Sequence, residues 1–318
     1  MASPSSPASA PAVPGYRKLK DYWRERFGGR VQKISLHQGM TCPNRDGTLG
    51  TGGCLYCSNE AFTPAYCHTG DDLKTQINNG LAFQKKRYPR AVGFLGYLQA
   101  YTNTYGPMET LMETYETVLE DDRLTGMVIG TRPDCLPDSL LDWLCEAAKS
   151  KTIYIELGIE SFSDNILESM NRGHTFAQAK EAVHRVAERG LPVGGHFLVG
   201  FPGEPWTHFF DSVDQLNALP LHSVKVHQLH VFRGTPLATM FINNPEDFDF
   251  PDKDAYIEKA AEWISRLRPD LYIDRVFGDA PLKFIVNPSW GVRMDTIVAE
   301  FDRIIEQKGI RQGSVYRD

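Results

Sequence analysis

The stretch 38-QGMTCPNRDGTLGTGGCLYC-57 gathers three of the chain's six cysteines, at the spacing Cys42-x11-Cys54-x2-Cys57. A C-x-x-C pair lets two thiolates reach one metal or cluster face from a single tight turn. Gly52 and Gly53 supply the backbone freedom that such a turn needs. Three thiolates support two physical readings. A cubane [4Fe-4S] cluster takes three cysteines and leaves one iron open to a substrate or cofactor. A structural zinc needs four ligands, and Cys67, His68 or His37 could complete the set. The spacing leaves both open.

The elements that must position this loop follow a rhythm. Apolar runs of strand length, 31-VQKISLH, 91-AVGFLGYLQA, 125-TGMVIGTRP, 151-KTIYIELGIES, 191-LPVGGHFLVG and 223-SVKVHQLHVF, are each followed by a loop or helical segment. Helical period appears over residues 71–88, with Asp71 or Asp72 as the cap, and over 107–121, 137–149, 175–190 and 204–219. Tandem βα units of this kind imply a parallel α/β sheet covered by helices. Six units fall short of a closed eight-fold barrel, so a partial (β/α)6 barrel or a doubly wound sheet is expected. Past about residue 236 the rhythm changes. Residues 252–268 and 291–309 read as helices and 271–279 as a strand. The expected division is therefore a core over 16–235 and a small α+β C-terminal subdomain over 236–318. Residues 1–15, rich in Ala, Ser and Pro, are expected to be a disordered tail.

Parallel βα folds place their sites at the C-terminal ends of the strands. The unusual residues cluster there: the cysteine loop, then 99-QAYTNTY, 130-GTRPDC, 156-ELGIES, 200-GFPGE after His196, and 227-HQLHVFRGT. Polar or glycine-rich motifs at six successive strand ends exceed what packing requires. Bulk properties narrow the class further. A net charge of −6 excludes a global basic field that would recruit nucleic acid, although a local patch remains open. No apolar run is long enough to span a bilayer, and the first residues lack the pattern of a secretory signal. The cytoplasm is expected, and there clustered thiols indicate metal or catalysis more often than disulfides.

Together TCPNRDGTLGTGGCLYC, QAYTNTY, GTRPDC, ELGIES, NRGHTF, GFPGE and the H-x-L-H at 227 resemble the radical SAM superfamily. Within it they look like the YhcC-type proteins, relatives of the Elongator catalytic subunit and of oxygen-independent coproporphyrinogen oxidase. Tyr56 fits the aromatic usual before the third cysteine. The eleven-residue first gap is longer than in most of the superfamily. The resemblance implies a partial TIM-like barrel, with Cys42, Cys54 and Cys57 holding a [4Fe-4S] cluster whose open iron binds S-adenosylmethionine (SAM). An external one-electron reductant then drives cleavage of SAM to a 5′-deoxyadenosyl radical, which abstracts hydrogen from a substrate. By the same resemblance Gln99, with Thr102 or Asn103, stands where the methionyl amino group is received, though the usual glutamate is absent. Glu160 is expected at the ribose hydroxyls and Arg172 at the methionyl carboxylate. His196 is expected at the ribose, Gly200 where the backbone approaches the adenine, and His227 flanking the adenine. A tRNA and a small metabolite both remain open as substrates.

Plainer readings stand beside these. Glu160 and Arg172 could be an ion pair, GFPGE a turn, and His196 and His227 core histidines. Cys145 falls on an apolar helix face, Cys135 reads as structural, and Cys67 could be free. Two other functions remain. One is a zinc hydrolase using His37, His196, His227 and His230. The other is a non-catalytic, cluster-containing RNA-binding protein.

Overall fold

In the computed structural model, which describes residues 15–68 and 70–317, the six apolar runs form strands where expected. They are β1 (Arg30–Leu36), β2 (Ala91–Leu98), β3 (Gly126–Thr131), β4 (Thr152–Glu160), β5 (Val193–Val199) and β6 (Ser223–Gln228). The chain then adds β7 (Val231–Phe232), β8 (Tyr272–Arg275) and β9 (Ile285–Asn287). The first six strands pair in parallel in chain order, and β8 extends the sheet from β6 as a seventh parallel strand. Strands β7 and β9 form a separate antiparallel pair.

The helices in chain order are α1 (Leu19–Phe27), α2 (Leu73–Arg87), α3 (Met108–Leu119), α4 (Asp138–Ala147), α5 (Asp164–Ser169) and α6 (Phe176–Glu188). They continue as α7 (His208–Asp211), α8 (Val213–Asn217), α9 (Pro236–Asn243), α10 (Lys253–Arg266) and α11 (Met294–Gln307). Local chemistry explains several starts. Asp72 accepts from the Thr75 N–H at 2.7 Å and so caps α2. Thr175 and Gln178 form a reciprocal capping box on α6. Thr235, with Pro236 at the first helical position, opens α9. The single helix expected over 204–219 is two short ones, because Ser212 (φ −83°, ψ 23°) steps out of helical geometry between them. Helices α1, α5 and α9 had no counterpart among the sequence expectations.

The sheet curls into a partial barrel of the α/β, TIM-like kind. Its edges meet at one level, where Lys33 of β1 lies 3.6 Å from Asp274 of β8. Below that point residues 15–18 cover the free edge of β8: Ile273 donates its N–H to the Arg17 carbonyl at 2.8 Å. Gly15, expected in the disordered tail, pairs with Arg311; residues 1–14 lie outside the described residues. Helix α1 seals the N-terminal end of the barrel. Its Leu19 and Trp23 pack against Leu95, Val128 and Tyr154 on the inner wall. Outside, helices bury the opposite face of the sheet in one large core, to which α10 and α11 contribute Tyr256, Trp263 and Phe301. No helix among the described residues is long and apolar enough to cross a membrane.

Side chains on the inner wall follow the two-residue period of the strands. The aromatic plug lies lowest. Lys33, Tyr97, Glu156 and Lys225 come next, then Gln99, Glu160, His196 and His227 at the strand ends.

Candidate active site

The long gap between Cys42 and Cys54 folds back on itself. Cys42 opens a turn whose carbonyl accepts from Arg45 and Asp46 at 2.8 and 3.2 Å, and Gly53 donates to the Asn44 carbonyl at 2.8 Å. Gly52 (φ 81°) and Gly53 (φ 84°) take the left-handed conformation that reverses the chain before Cys54. A further turn, Cys57 N–H to Cys54 carbonyl at 3.1 Å, closes the C-x-x-C pair. The eleven intervening residues therefore act as a compact loop that returns Cys54 to the neighbourhood of Cys42.

A second loop clamps the first. Asn44 donates to the carbonyls of Asn171 and Arg172 at 2.5 and 2.9 Å, and Asn171 answers with a bond to the Gly53 carbonyl at 2.8 Å. Asn171 itself sits at φ 53°. This backbone placement puts the Arg172 guanidinium beside Cys54 (Nη1 to Sγ, 3.7 Å), the Gly158 carbonyl (2.7 Å) and Glu160 (3.6 Å).

All three thiols line a cavity of about 240 Å³ at the strand ends, together with Tyr56, Gln99, Thr102, Glu160, Arg172, His196 and His227. Glu160 adopts φ 73° at a register shift between β4 and β5, which turns its carboxylate inward. Burial pushes the Glu160 carboxyl up, but His196 and Arg172 outweigh it and hold the group below the ordinary carboxylate range. Arg172 is likewise buried, and Tyr56, Cys54 and Glu160 more than offset that burial, keeping it charged. His196 links two neighbours: Nδ1 lies 3.5 Å from Glu160 Oε2, and Nε2 lies 3.4 Å from His227 Nδ1. Burial, then the neighbouring His196, holds His227 far below the ordinary histidine range, so its ring is neutral.

Each thiol also meets a donor. Arg132 Nη1 is 4.0 Å from Cys42 Sγ, Asn44 Nδ2 is 3.7 Å from Cys54 Sγ, and Asn59 Nδ2 is 3.7 Å from Cys57 Sγ. Arg45 lies near enough to Cys57 for its charge to act on that thiol. Several buried polar atoms in the cavity lack a hydrogen-bond partner among the described residues: Glu160 Oε2, Arg172 Nε, Tyr56 Oη, Thr102 Oγ1 and His227 Nε2. Such atoms are expensive unless a bound molecule completes them. A cluster on three thiolates, with a polar adenosyl and aminoacid ligand beside it, fits this donor set. A single zinc ion does not. Tetrahedral thiolates around zinc stand about 4 Å apart, and among the described residues no three His, Cys, Asp or Glu side chains converge to hold one ion.

Three placements differ from the expectations. Asn103 does not line the cavity. Its amide donates to the Gly130 carbonyl at 2.8 Å and its oxygen accepts from Gln38 at 3.0 Å, so it braces the loop, while neighbouring Thr102 faces the cavity. Gly200 (φ 92°) is not in the lining either. A Cβ there would stand 3.8 Å from Asp249 and Phe250, the chain that covers it. His230 lies in a different cavity, beside Gln228 and Gly278. Cys67 is buried away from the site, its thiol donating to Gln76 Oε1 at 3.2 Å, and burial pushes it up to about 11. Cys135 borders a neighbouring surface cavity. Cys145 bonds the Arg189 carbonyl at 3.7 Å. Residues that the sequence did not single out are Asn44, Arg45, Asn59, Arg132, Tyr97, Glu156 and Lys225.

Comparison with known proteins agrees with this picture. The radical SAM superfamily matches residues 46–216, and the radical SAM C-terminal domain matches 221–303. The chain is 33% identical to the Escherichia coli protein YhcC over 91% of both chains. It is 30% identical to YtqA of Bacillus subtilis over 95% of this chain and 93% of that one. Among solved structures, Methanocaldococcus infernus Elp3, lacking its first residues, superposes with a TM-score of 0.64 at 18% identity, covering 89% of this chain and 64% of the other. At that identity the likeness concerns fold alone. With its cysteine loop, its strand-end residues and both matched regions in place, the chain is a YhcC-type member of the radical SAM superfamily.

Proposed function

We propose that the protein is a radical SAM enzyme in which Cys42, Cys54 and Cys57 ligate a [4Fe-4S] cluster. Membership in the superfamily implies the cluster and SAM. The observation that carries the residue assignment is the cavity itself: it is lined by all three thiols, none in a disulfide, and by Glu160 and Arg172, whose Oε2 and Nε have no hydrogen-bond partner among the described residues. When bound, cluster and SAM supply reductive C–S cleavage and a 5′-deoxyadenosyl radical that abstracts hydrogen from the substrate.

The chain's own residues bind, orient and exclude water. Glu160, fixed in its ionised form, accepts from two ribose hydroxyls. Arg172 offers its unpartnered Nε to the methionyl carboxylate. Gln99, held by bonds to Ser35 Oγ and the Phe62 carbonyl at 3.0 Å each, and the free Thr102 hydroxyl receive the methionyl amino group. His196 backs Glu160, and His227 presents a neutral ring beside the base. Tyr56, edge-on to Phe201 at 5.4 Å, closes the wall behind the C-x-x-C turn. The electron comes from an external one-electron donor. Six unpaired thiols suit the reducing cytoplasm.

Anaerobic reconstitution tests this reading. The protein should take up about four iron and four sulfide per chain and, with dithionite, convert SAM to 5′-deoxyadenosine. Cys54→Ala should abolish cluster uptake. Binding of zinc alone, or a full cluster in the Cys54→Ala variant, overturns the assignment.

A further inference from the structure

One layer below the strand-end residues, the barrel interior is charged. Glu156 of β4 is the hub. Its Oε1 accepts from Lys33 Nζ at 2.5 Å, and its Oε2 accepts from Tyr97 Oη at 2.7 Å and from Lys225 Nζ at 3.3 Å. A buried ionic layer adds little stability over an apolar one of equal volume, because desolvation consumes the Coulomb gain. Part of this layer is structural, since Lys33 spans Glu156 and Asp274 and closes the two sheet edges on each other. Lys225 makes no such closure. Lys33 and Lys225 together balance Glu156 and Asp274, so what Lys225 has to spare is a hydrogen-bond donor. Its ammonium has three donors. Tyr97 Oη at 3.1 Å and Glu156 take two of them, and the third has no protein acceptor among the described residues. Lys225, Tyr97 and Glu156 all line the cavity that holds the cysteines.

Residue 225 lies two positions before His227 on β6, about 7 Å deeper along the strand. A group reaching it must pass the ring of Glu160, His196 and His227 through a cavity of about 240 Å³. An internal backbone phosphate of an RNA does not reach that depth; a terminal anionic group on a small molecule does.

We propose that Lys225, backed by Tyr97 and Glu156, anchors a small substrate by a single oxyanion, a carboxylate or a phosphate, at the floor of the cavity. This rests on the enzyme reading above, since it names the substrate class of the same site. The substrate then extends from Lys225 toward the cysteines, and its reacting carbon lies above the anchor.

Titration calorimetry of the protein, with and without reconstituted cluster, against sodium acetate and against methyl phosphate tests the anchor. One of the two anions should bind saturably, and which one binds identifies the group. Lys225→Met should weaken that binding by about tenfold or more, and Lys225→Arg should retain it. Circular dichroism and iron content of the same samples separate loss of the anchor from loss of fold. Saturable binding of neither anion, or equal binding by Lys225→Met, overturns the proposal. If the wild-type protein takes up its cluster and cleaves SAM yet binds neither anion, only the anchor fails. If no cluster assembles, the enzyme reading fails, and the cluster-free titration still reports on Lys225.

Discussion

Single side chains around the thiols carry more positive charge than packing needs. Arg132 and Arg172 are buried beside Cys42 and Cys54, and Arg45, more exposed, lies over Gly53 with its charge near Cys57. Hydrogen bonds and cations near cluster sulfurs favour the reduced, more negative state. On the proposed ligation, Arg45→Met lowers the midpoint potential of the cluster in an EPR-monitored titration while iron content stays near wild type. An unchanged midpoint would show that Arg45 is only a loop contact. Arg45 and Asn44 were in plain view within the cysteine motif, but nothing in their spacing says which way they point. Tyr97, Glu156 and Lys225 were more legible. Each sits two or four residues before a strand-end polar residue, Gln99, Glu160 and His227, so the strand period puts all of them on the inner face. The choice between Thr102 and Asn103 was not readable, because it is set by Tyr101, whose φ of 61° turns the chain just before them.

At the scale of elements, apolar runs and caps placed the six strands and most helices, because side-chain period and capping chemistry are local. The exceptions had non-local causes. Helix α1 is a plug whose partners lie on β2, β3 and β4, and β8 is four residues long and gains its place by pairing with β6. The broken helix after β5 follows the turn at Gly200 and Gly203, with Pro205 removing an N–H. Among the described residues that turn leaves Glu204 with only a distant partner, His208 Nε2 at 3.9 Å, and burial pushes its carboxyl up to about 7. The unfolded chain ionises this carboxyl near the ordinary value, so between there and about pH 7 the native state binds more protons. Stability therefore falls as pH rises through that window, and the cost is complete above it. Glu204→Gln removes the cost. Since the side chain keeps some contact with water, the variant should be more stable by about 1 kcal/mol at about pH 8 and indistinguishable at about pH 4. Chemical denaturation at the two pH values measures the difference, and an equal gain at both would exclude ionisation as its cause.

For the molecule as a whole, the charged layer is also what turns an open sheet into a nearly closed wall. Lys33 reaches from the first strand to the fourth and the last. Removing it takes from Asp274 its ion-pair partner and leaves Glu156 with Lys225 and Tyr97, so Lys33→Met should cost about 2–3 kcal/mol in urea unfolding. Lys225→Met should cost distinctly less, about 1 kcal/mol, because Glu156 and Asp274 both keep Lys33. Equal losses would mean that both lysines are fastenings. The partial barrel itself was legible from the number of βα units; that its rims are pinned together by an ion pair was not, since the partners are far apart in sequence.

Trp23 and Leu19 stopper the far end of the barrel, and this dictates the order of traffic. Seen from the strand-end mouth, the interior is a stack: whatever goes to the bottom that way arrives first and departs last. On the proposed anchor, a molecule held at Lys225 would lie beneath the nucleoside and would leave by that mouth only after it.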